Sequence, residues 1–252
     1  MRLLGRDAFA AVFEPLRGKR IGYVRPAGNA GDAMIEWATR QLFEEFGIAW
    51  RLFDPDAPGD RDVDALAFAG GGSMGTLYRH NWELRGRALA RGLPMTVLPQ
   101  SFTSPEDRPY KRVYVRERGS LAHCPSATLA PDLALGLVYA TSKTPTRETG
   151  VFLRRDCERT SRLRWFRRDP AKLCRTPQEY LDLAADHARI VTDRLHFAIC
   201  GLIVGRDTTL LPNDYHKNRS MYETWLGALG CRFAESVGEA LGRRRGPFRK
   251  AA

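Results

Sequence analysis

Short apolar runs alternate with stretches of helical periodicity along the first 140 residues. The first run, RIGYV at 20–24, leads through the loop PAGNAGD into a predicted helix over 33–46, where apolar side chains recur every three or four residues. A second helix is predicted over 83–91. Further runs have the composition of strands, at 48–53, 65–73, 94–101, 111–120 and briefly within 127–135.

The alternation restarts after a polar stretch rich in threonine at 141–150, which we interpret as a linker. Strand–loop–helix order is typical of doubly wound parallel sheets, so we expect an α/β fold of two Rossmann-like domains facing a cleft. The domains are predicted at 1–140 and 151–242, the second being small, followed by a basic tail at 243–252. Within the second domain we predict strands at 151–156, 189–192 and 208–212, and helices over 177–185, 195–204 and from about 220 to 242.

Composition restricts the class of protein. With 43% hydrophobic and 27% charged residues among 252, the chain has the make-up of an ordinary globular protein. No window approaches the roughly 18 consecutive apolar residues of a membrane span. Charges interrupt the N-terminal stretch too early for a secretory signal, so we expect a cytoplasmic protein.

The net charge of +11 favours an anionic partner. The excess is uneven, because residues 143–175 hold eleven basic and four acidic side chains, a net +7. A nucleic acid, an anionic lipid surface and a phosphorylated substrate all fit such charge, as does a solvated basic face. A second basic cluster closes the chain at Arg243, Arg244, Arg245, Arg249 and Lys250.

The five cysteines form no C-x-x-C pair. An odd number without metal-ligand spacing argues against a disulfide framework and a zinc site, so we expect reduced thiols and no metal. Cys200 lies in an apolar helical run and is predicted to be part of the core.

The loop after the first strand is a candidate binding site. Gly28, Asn29 and Gly31 precede a helix N-terminus, where backbone N–H groups can approach an anion or substrate. The spacing matches neither G-x-G-x-x-G nor the P-loop, which disfavours a dinucleotide or Walker-type site. Asp32 fits two roles, as the N-cap of the helix or as a substrate contact and base.

Polar residues also end the later strands of the first domain. Gly71, Gly72 and Ser73 follow the third strand, where consecutive glycines allow close approach of a ligand and suggest the floor of a cleft. Gln100 and Ser101 end the strand at 94–101 and are further substrate-binding candidates.

Arg116 ends the strand in VYVRERGS. Its guanidinium fits bidentate binding of a carboxylate or phosphate, and it fits equally a surface ion pair with Glu117.

The segment VTDRLHFAIC at 191–200 places charge between a strand and an apolar helix. Thr192 or Asp193 fits the N-cap, and Arg194 and His196 fall in the first helical turn. An arginine there opposes the helix dipole at a cost of about 0.3–1 kcal/mol. A bound phosphate or carboxylate would reverse that cost, so we favour a site for such an anion over a purely structural role.

A fourth polar group follows the strand at 208–212. Amide, phenol and ammonium groups suit sugar hydroxyls or a phosphate, and a turn with a helix cap is the alternative. The residues are Asn213, Tyr215, Lys217 and Asn218.

Motifs along 28–226 occur in an order that resembles the polysaccharide pyruvyl transferase family. The most specific are T-D-R-L-H at 192–196, N-x-Y-x-K-N at 213–218 and Y-E-T-W at 222–225. The others are GNAGD (28–32), GGGS (70–73), LPQS (98–101), VRERGS (115–120) and PDLAL (131–135).

Members of that family transfer the pyruvyl group of phosphoenolpyruvate to two hydroxyls of a sugar and form a cyclic ketal on cell-surface or exported glycans. The resemblance implies a GT-B-like pair of domains, phosphoenolpyruvate as the donor substrate, no cofactor, and a lipid-linked or polymeric saccharide acceptor. The family's R-L-H triplet and strand-end arginine are associated with the donor. They match Arg194, Leu195, His196 and Arg116.

From this resemblance and the chemistry of the donor we expect His196 to be the general acid, Arg194 to bind the donor and Asp32 to be a candidate base. The basic tail is expected to favour contact with anionic lipid at the inner face of the membrane, where lipid-linked acceptors reside.

Two other functions are considered. A GT-B-like glycosyltransferase would use Arg194 and His196 to hold the diphosphate of a nucleotide sugar. A nucleic-acid-binding protein without catalysis is disfavoured, because basic residues are not interleaved with stacking aromatics and no helix-turn-helix or zinc-finger spacing occurs.

Overall fold

The structure is a computed structural model that describes residues 2–57, 62–160 and 168–242. The chain divides into two compact units, the first comprising Met1–Ala140 with Arg175–Pro177 and the second Thr141–Cys174 with Gln178–Ala252. The predicted basic tail at 243–252 lies outside the described residues.

The first unit is built around a parallel sheet of seven strands. They are β1 (Arg20–Val24), β2 (Ala49–Leu52), β3 (Ala65–Phe68), β4 (Gly71–Met74), β5 (Met95–Phe102), β6 (Arg112–Val115) and β7 (Thr128–Leu129). The order is β2-β1-β3-β5-β6-β7, and β4 pairs with β5. The helices are α1 (Ala10–Phe13), α2 (Ala30–Glu45) and α3 (Arg79–Leu89), with 3-10 turns at Arg6–Phe9, Glu14–Leu16, Arg118–Ala122 and Leu133–Gly136.

The central strands of this sheet are buried throughout because both faces are covered. Every residue of β3 and β5 is buried. The predicted single strand at 65–73 is two strands, since β3 pairs with β1 and β5, whereas β4 pairs with the later part of β5 from Gly71 opposite Gln100.

Helix α2 begins three residues before the predicted start because a capping box fixes its first turn. The N-cap is Asn29 rather than Asp32, whose carboxylate accepts the Asn29 backbone N–H at 2.8 Å from the third helical position. The helix is followed by Gly47 at φ +63, a conformation that suits glycine. Its buried face packs on aromatic rings, with Phe43 edge-on to Phe13 at 5.6 Å between centroids.

The second unit contains a parallel sheet of four strands in the order β11-β10-β9-β8. They are β8 (Arg147–Phe152), β9 (His187–Thr192), β10 (Asp207–Leu210) and β11 (Arg232–Phe233). The helices are α4 (Pro170–Leu173), α5 (Pro177–Ala185), α6 (Leu195–Ile203), α7 (Lys217–Met221) and α8 (Val237–Ala240), with a π-helical turn at Tyr222–Leu226.

Two boundaries in this unit differ from the sequence prediction. Strand β8 begins at Arg147, inside the stretch interpreted as a linker, because it pairs with β9 from His187 onwards. The single helix expected over 220–242 is wrong. Helical structure ends before Gly230, whose φ of +88 favours a turn, and the chain then forms β11 and α8.

The core of the second unit surrounds α6, whose residues are all buried apart from the half-buried His196. Cys200 is fully buried as predicted, and the five cysteines are free thiols. The parallel sheets confirm the α/β class and are consistent with Rossmann-like units, while the GT-B-like arrangement and its cleft stay predictions. Within the described ranges, no helix is both long and apolar enough to cross a bilayer.

Candidate functional site

A pocket of about 300 Å³ opens beside the loop between β1 and α2 in the first unit. It lies at the carboxyl ends of β1 and β3, where parallel α/β sheets place their ligands. Its polar lining includes Arg25, Asn29, Asp32 and Glu36, with Gly28 and Gly70 in the loops.

The start of α2 holds the Asp32 carboxylate in one position. The Asn29 side chain accepts the Gly31 N–H at 2.8 Å, and Asp32 Oδ2 accepts the Asn29 N–H. These two N–H groups are therefore engaged by the chain's own cap. A Cβ on Gly28 would lie 2.5 Å from the Asp32 side chain, so only glycine fits beside this carboxylate.

Charged groups of both signs line this pocket. Arg25 is exposed and its guanidinium lies 3.5 Å from Glu36, which also pairs with Arg40. Carboxylates and a guanidinium around a partly open space suit a ligand rich in hydroxyl groups, because each group can exchange its water for a hydroxyl.

The glycine stretch after β3 is fixed from below by Gln100. The buried Gln100 amide donates to the Ala69 carbonyl at 2.6 Å and accepts the Ser73 N–H at 2.9 Å. Gly71 has φ +146, a region that is essentially restricted to glycine. Gly72 lies half-buried beside it, and Ser73 is buried.

A buried ion pair that the sequence analysis missed supports the same stretch. Arg85, fully buried, donates to the carbonyls of Ser73 and Gly75 at 3.1 Å each and pairs with Glu106. Nothing in the sequence marks this arginine, because it lies on the amphipathic helix α3 among other basic residues.

Arg116 and Ser101 form a closed network inside the first unit. The Arg116 guanidinium is 1% exposed, lies 2.8 Å from Asp132 and donates to Ser101 Oγ at 2.8 Å. Glu117 is 3.8 Å away and also buried, so the expected surface ion pair is an interior one. Buried carboxylates meet the charge of Arg116, which links β5 and β6, and its contact with the donor stays a prediction.

In the second unit, Arg194 is held by carboxylates at the carboxyl edge of the sheet. Asp169 receives its Nε at 2.9 Å and its Nη2 at 2.7 Å, and Asp156 lies 2.8 Å from Nη1. Arg194 is the N-cap residue of α6, and its backbone N–H is accepted by Thr192 Oγ1. The negative charge of these carboxylates offsets the cost of placing an arginine at a helix N-terminus. In the sequence analysis, a bound anion was expected to offset that cost.

Arg154 is a candidate site residue that the sequence analysis did not single out. It follows β8, is 5% exposed and pairs with Asp156 and Glu158. Burial lowers the pKa of its guanidinium, but the hydrogen bonds and charges of these acids outweigh burial and raise it overall. The pair Arg154-Arg155 at the end of a predicted strand was the available signal.

The side chain of Asp193 binds the chain just after β8. Its Oδ1 accepts the Arg154 N–H at 2.7 Å, while its Oδ2 is buried and has no hydrogen-bond partner within the described ranges. Burial raises the pKa of this carboxyl to about 6, against the lowering effects of the Arg154 N–H and of the Arg154 and Arg194 charges. At Asp193 burial therefore outweighs the neighbouring positive charges, and the charged form of the side chain is disfavoured.

The other members of the R-L-H triplet differ in access. Leu195 is 4% exposed and packs in the core, and its contact with the donor stays a prediction. His196 is half-buried in the first turn of α6, two residues after Arg194. It retains the exposure that proton transfer to a bound substrate requires.

The residues after β10 are bound to the same ionic cluster. Glu158 accepts hydrogen bonds from Asn213 Nδ2 and Lys217 Nζ, and Lys217 also lies 4.9 Å from the centre of the Tyr215 ring. Asn218 is fully buried and donates to the Asp193 and Leu211 carbonyls. Tyr215 is the half-buried member of this group, whereas the others act mainly as internal partners.

Comparison with known proteins identifies the family. A sequence model described as polysaccharide pyruvyl transferase matches residues 29–215, which run from the α2 cap to Tyr215. A search of curated proteins gave no match. The structure is similar to that of an uncharacterized protein from Klebsiella pneumoniae, with a TM-score of 0.72, 22% identity, and coverage of 90% of this chain and 97% of the other, which shows a shared fold.

Two weaker similarities carry no argument about fold or ligand. A galactofuranose binding protein gives a TM-score of 0.34 at 8% identity, covering 76% of this chain and 75% of the other. A periplasmic component of a sugar transport system from Hahella chejuensis gives 0.30 at 12% identity, covering 84% of each chain. The family match covers well over half of the sequence, and the chain therefore belongs to the polysaccharide pyruvyl transferase family.

Proposed function

We propose that this protein transfers the pyruvyl group of phosphoenolpyruvate to two hydroxyls of a glycan and forms a pyruvate ketal. The observation that carries the proposal is that the family match spans both the pocket loop of the first unit and the Arg194–His196 segment of the second. The donor needs no bound cofactor for this chemistry, because its enol phosphate is itself activated.

The carboxyl edge of the second sheet is the proposed donor site. Phosphoenolpyruvate concentrates about three negative charges on few atoms, and such a ligand requires several cations. Arg154, Arg194 and Lys217 supply them from the ends of β8 and β9 and from α7. The half-buried His196 lies in the first turn of α6 and is the group we assign to proton transfer.

The reaction is proposed to begin with a proton from His196 to the methylene carbon of the donor. The resulting oxocarbenium-like centre is attacked by one sugar hydroxyl, phosphate leaves, and the second hydroxyl closes the ketal. One hydroxyl proton restores the imidazolium and the other leaves with phosphate or solvent. A positioned acid typically contributes about 10²–10⁴ in rate.

The pocket of the first unit is the proposed acceptor site, with Asp32 as the base for a sugar hydroxyl. The capping box supports this role because it fixes the carboxylate through Oδ2 beside the glycine loops. In this proposal the acceptor approaches closely the backbone of Gly71, Gly72 and Ser73, and Gln100 supports that backbone.

A glycosyltransferase that uses a nucleotide sugar is the alternative, and the products separate the two. Purified protein with phosphoenolpyruvate and a glycan should release inorganic phosphate only when the glycan is present. Release of nucleotide from a nucleotide sugar, with phosphoenolpyruvate unchanged, would reject the pyruvyl transferase. His196→Gln is the matched variant, because it keeps a polar side chain at a half-buried site and should lose turnover while the protein stays folded.

The acceptor is proposed to be a lipid-linked or polymeric saccharide, met on the cytoplasmic side of the membrane. The basic residues at 243–252 would favour anionic lipid at about 1 kcal/mol for each Lys or Arg close to the surface.

A further inference from the structure

Arg154 and Arg194 together hold one carboxylate of the chain, that of Asp156. Arg154 Nε and Nη2 donate to its two oxygens at 2.7 and 3.2 Å. Arg194 Nη1 lies 2.8 Å from the second oxygen. Two guanidiniums that direct three nitrogens at one carboxylate form the arrangement that binds a free carboxylate or phosphate.

Asp156 is less firmly anchored than Asp169 and Glu158, the other two acids that form ion pairs with Arg194 or Arg154. Its side chain is 35% exposed, against 0% for Asp169 and 4% for Glu158. Asp169 also accepts the backbone N–H groups of Arg155 and Ala171.

Glu158 is anchored as well, because it receives Lys217 and Asn213 from beyond β10. Beyond the two arginines, Asp156 makes a local contact at 3.3 Å with the N–H of Glu158. Within the described part of the chain, moving Asp156 outward therefore breaks no side-chain link to another element apart from its pairs with the two arginines.

We propose that Asp156 is an internal competitor of the donor: its carboxylate occupies the place between Arg154 and Arg194 that the donor's carboxylate or phosphate takes, and it turns outward when the donor binds. The identity of the donor in this inference rests on the proposed function. The Asp156 carboxylate neutralises the two neighbouring guanidiniums while no donor is bound. It lowers the apparent affinity for the donor, which is the intrinsic affinity multiplied by the fraction of time that Asp156 leaves the site free.

The ionisation state of Asp156 agrees with this role. Partial burial opposes its ionisation, but hydrogen bonds from Arg154 and the charges of Arg154 and Arg194 outweigh burial and lower its pKa. The carboxylate is therefore charged at neutral pH and competes as an anion.

The test is the affinity of Asp156→Asn for inorganic phosphate and for phosphoenolpyruvate, measured by titration calorimetry at constant ionic strength. Asparagine keeps an oxygen for the Glu158 N–H and removes the charge. If Asp156 fills the site about nine-tenths of the time, both anions should bind about tenfold more tightly, which corresponds to about 1.4 kcal/mol. Asp156→Ser, which also keeps an acceptor, should show the same direction.

Asp186→Asn is the matched control. Asp186 belongs to the same unit, its side chain is 29% exposed, and it pairs with Lys143 at 2.7 Å, away from the two arginines. This variant should bind phosphate like the wild type. An equal gain in both variants would assign the effect to net charge and overturn the proposal, as would unchanged or weaker binding in both folded Asp156 variants.

The competitor and the proposed function fail separately. Wild-type protein that turns over phosphoenolpyruvate, with no gain in Asp156→Asn, rejects the competitor alone. Wild-type protein without turnover rejects the proposed function, and tighter phosphate binding by Asp156→Asn would then still support the competitor. Absence of turnover in the wild type together with no gain in Asp156→Asn rejects both.

Discussion

Replacing Asp193 by asparagine should change how the stability of the protein depends on pH. The carboxyl is buried, and its pKa of about 6 lies above the ordinary value of 3.8. A group whose pKa is higher in the folded than in the unfolded state stabilises the fold at pH values below its pKa in the unfolded state. This contribution is lost as the pH rises through its pKa in the folded state. The two values differ by about 2, which corresponds to about 3 kcal/mol lost between about pH 4 and pH 6.

Asparagine removes this titration and keeps an oxygen for the Arg154 N–H. We therefore expect the free energy of unfolding of Asp193→Asn, relative to the wild type, to increase by up to about 3 kcal/mol from pH 4 to pH 7. The free energy of unfolding of both proteins is measured by urea denaturation, monitored by circular dichroism, at intervals of half a pH unit. A difference that stays constant across this range would refute the assignment of a buried, strained charge to Asp193.

Three further predictions concern other parts of the molecule. Arg194→Ala should lower the free energy of unfolding by about 3 kcal/mol, because it leaves the buried Asp169 without its ion-pair partner. The double variant with Asp169→Ala should recover part of this loss in urea unfolding, and full additivity of the two single losses would contradict the pairing. Gly28→Ala should displace Asp32, lower the free energy of unfolding by about 1 kcal/mol through the lost cap, and raise the KM for the acceptor. In Gly5→Ala the added Cβ meets open space, so the free energy of unfolding and the KM should stay unchanged. The full chain should bind anionic vesicles more tightly than neutral ones at low salt, and removal of residues 243–252 should reduce the difference; equal binding to both vesicles would reject the membrane proposal.

The sequence predicts most of the sheet architecture because parallel strands here are short apolar runs that end in polar residues. It predicts the start of α2 less well, since Asp32 was considered as the N-cap, whereas it lies at the third helical position of a capping box whose N-cap is Asn29. It fails for the last helix, where the apolar spacing continues through Gly230 although that residue takes a positive φ.

The candidate site is predicted in part. The polar residues at strand ends were identified from their positions, but their partners were not, because a sequence does not show which acid meets which base. Arg116 was therefore expected to bind an anion or to pair with Glu117 at the surface, and Arg194 to bind an anion, whereas Asp132 and Asp169 neutralise them. Arg154 was overlooked within a long basic segment that carries little positional signal.

The central claim is transfer of a pyruvyl group to a sugar, and the mass of the acceptor tests it most directly. A panel of oligosaccharides with neighbouring free hydroxyls, incubated with the protein and phosphoenolpyruvate, should include one that gains the mass of pyruvic acid less one water. The same panel with His196→Gln should show no gain. Phosphoenolpyruvate turnover that leaves every acceptor at its original mass, or a gain equal to a sugar from a nucleotide donor, would contradict the account.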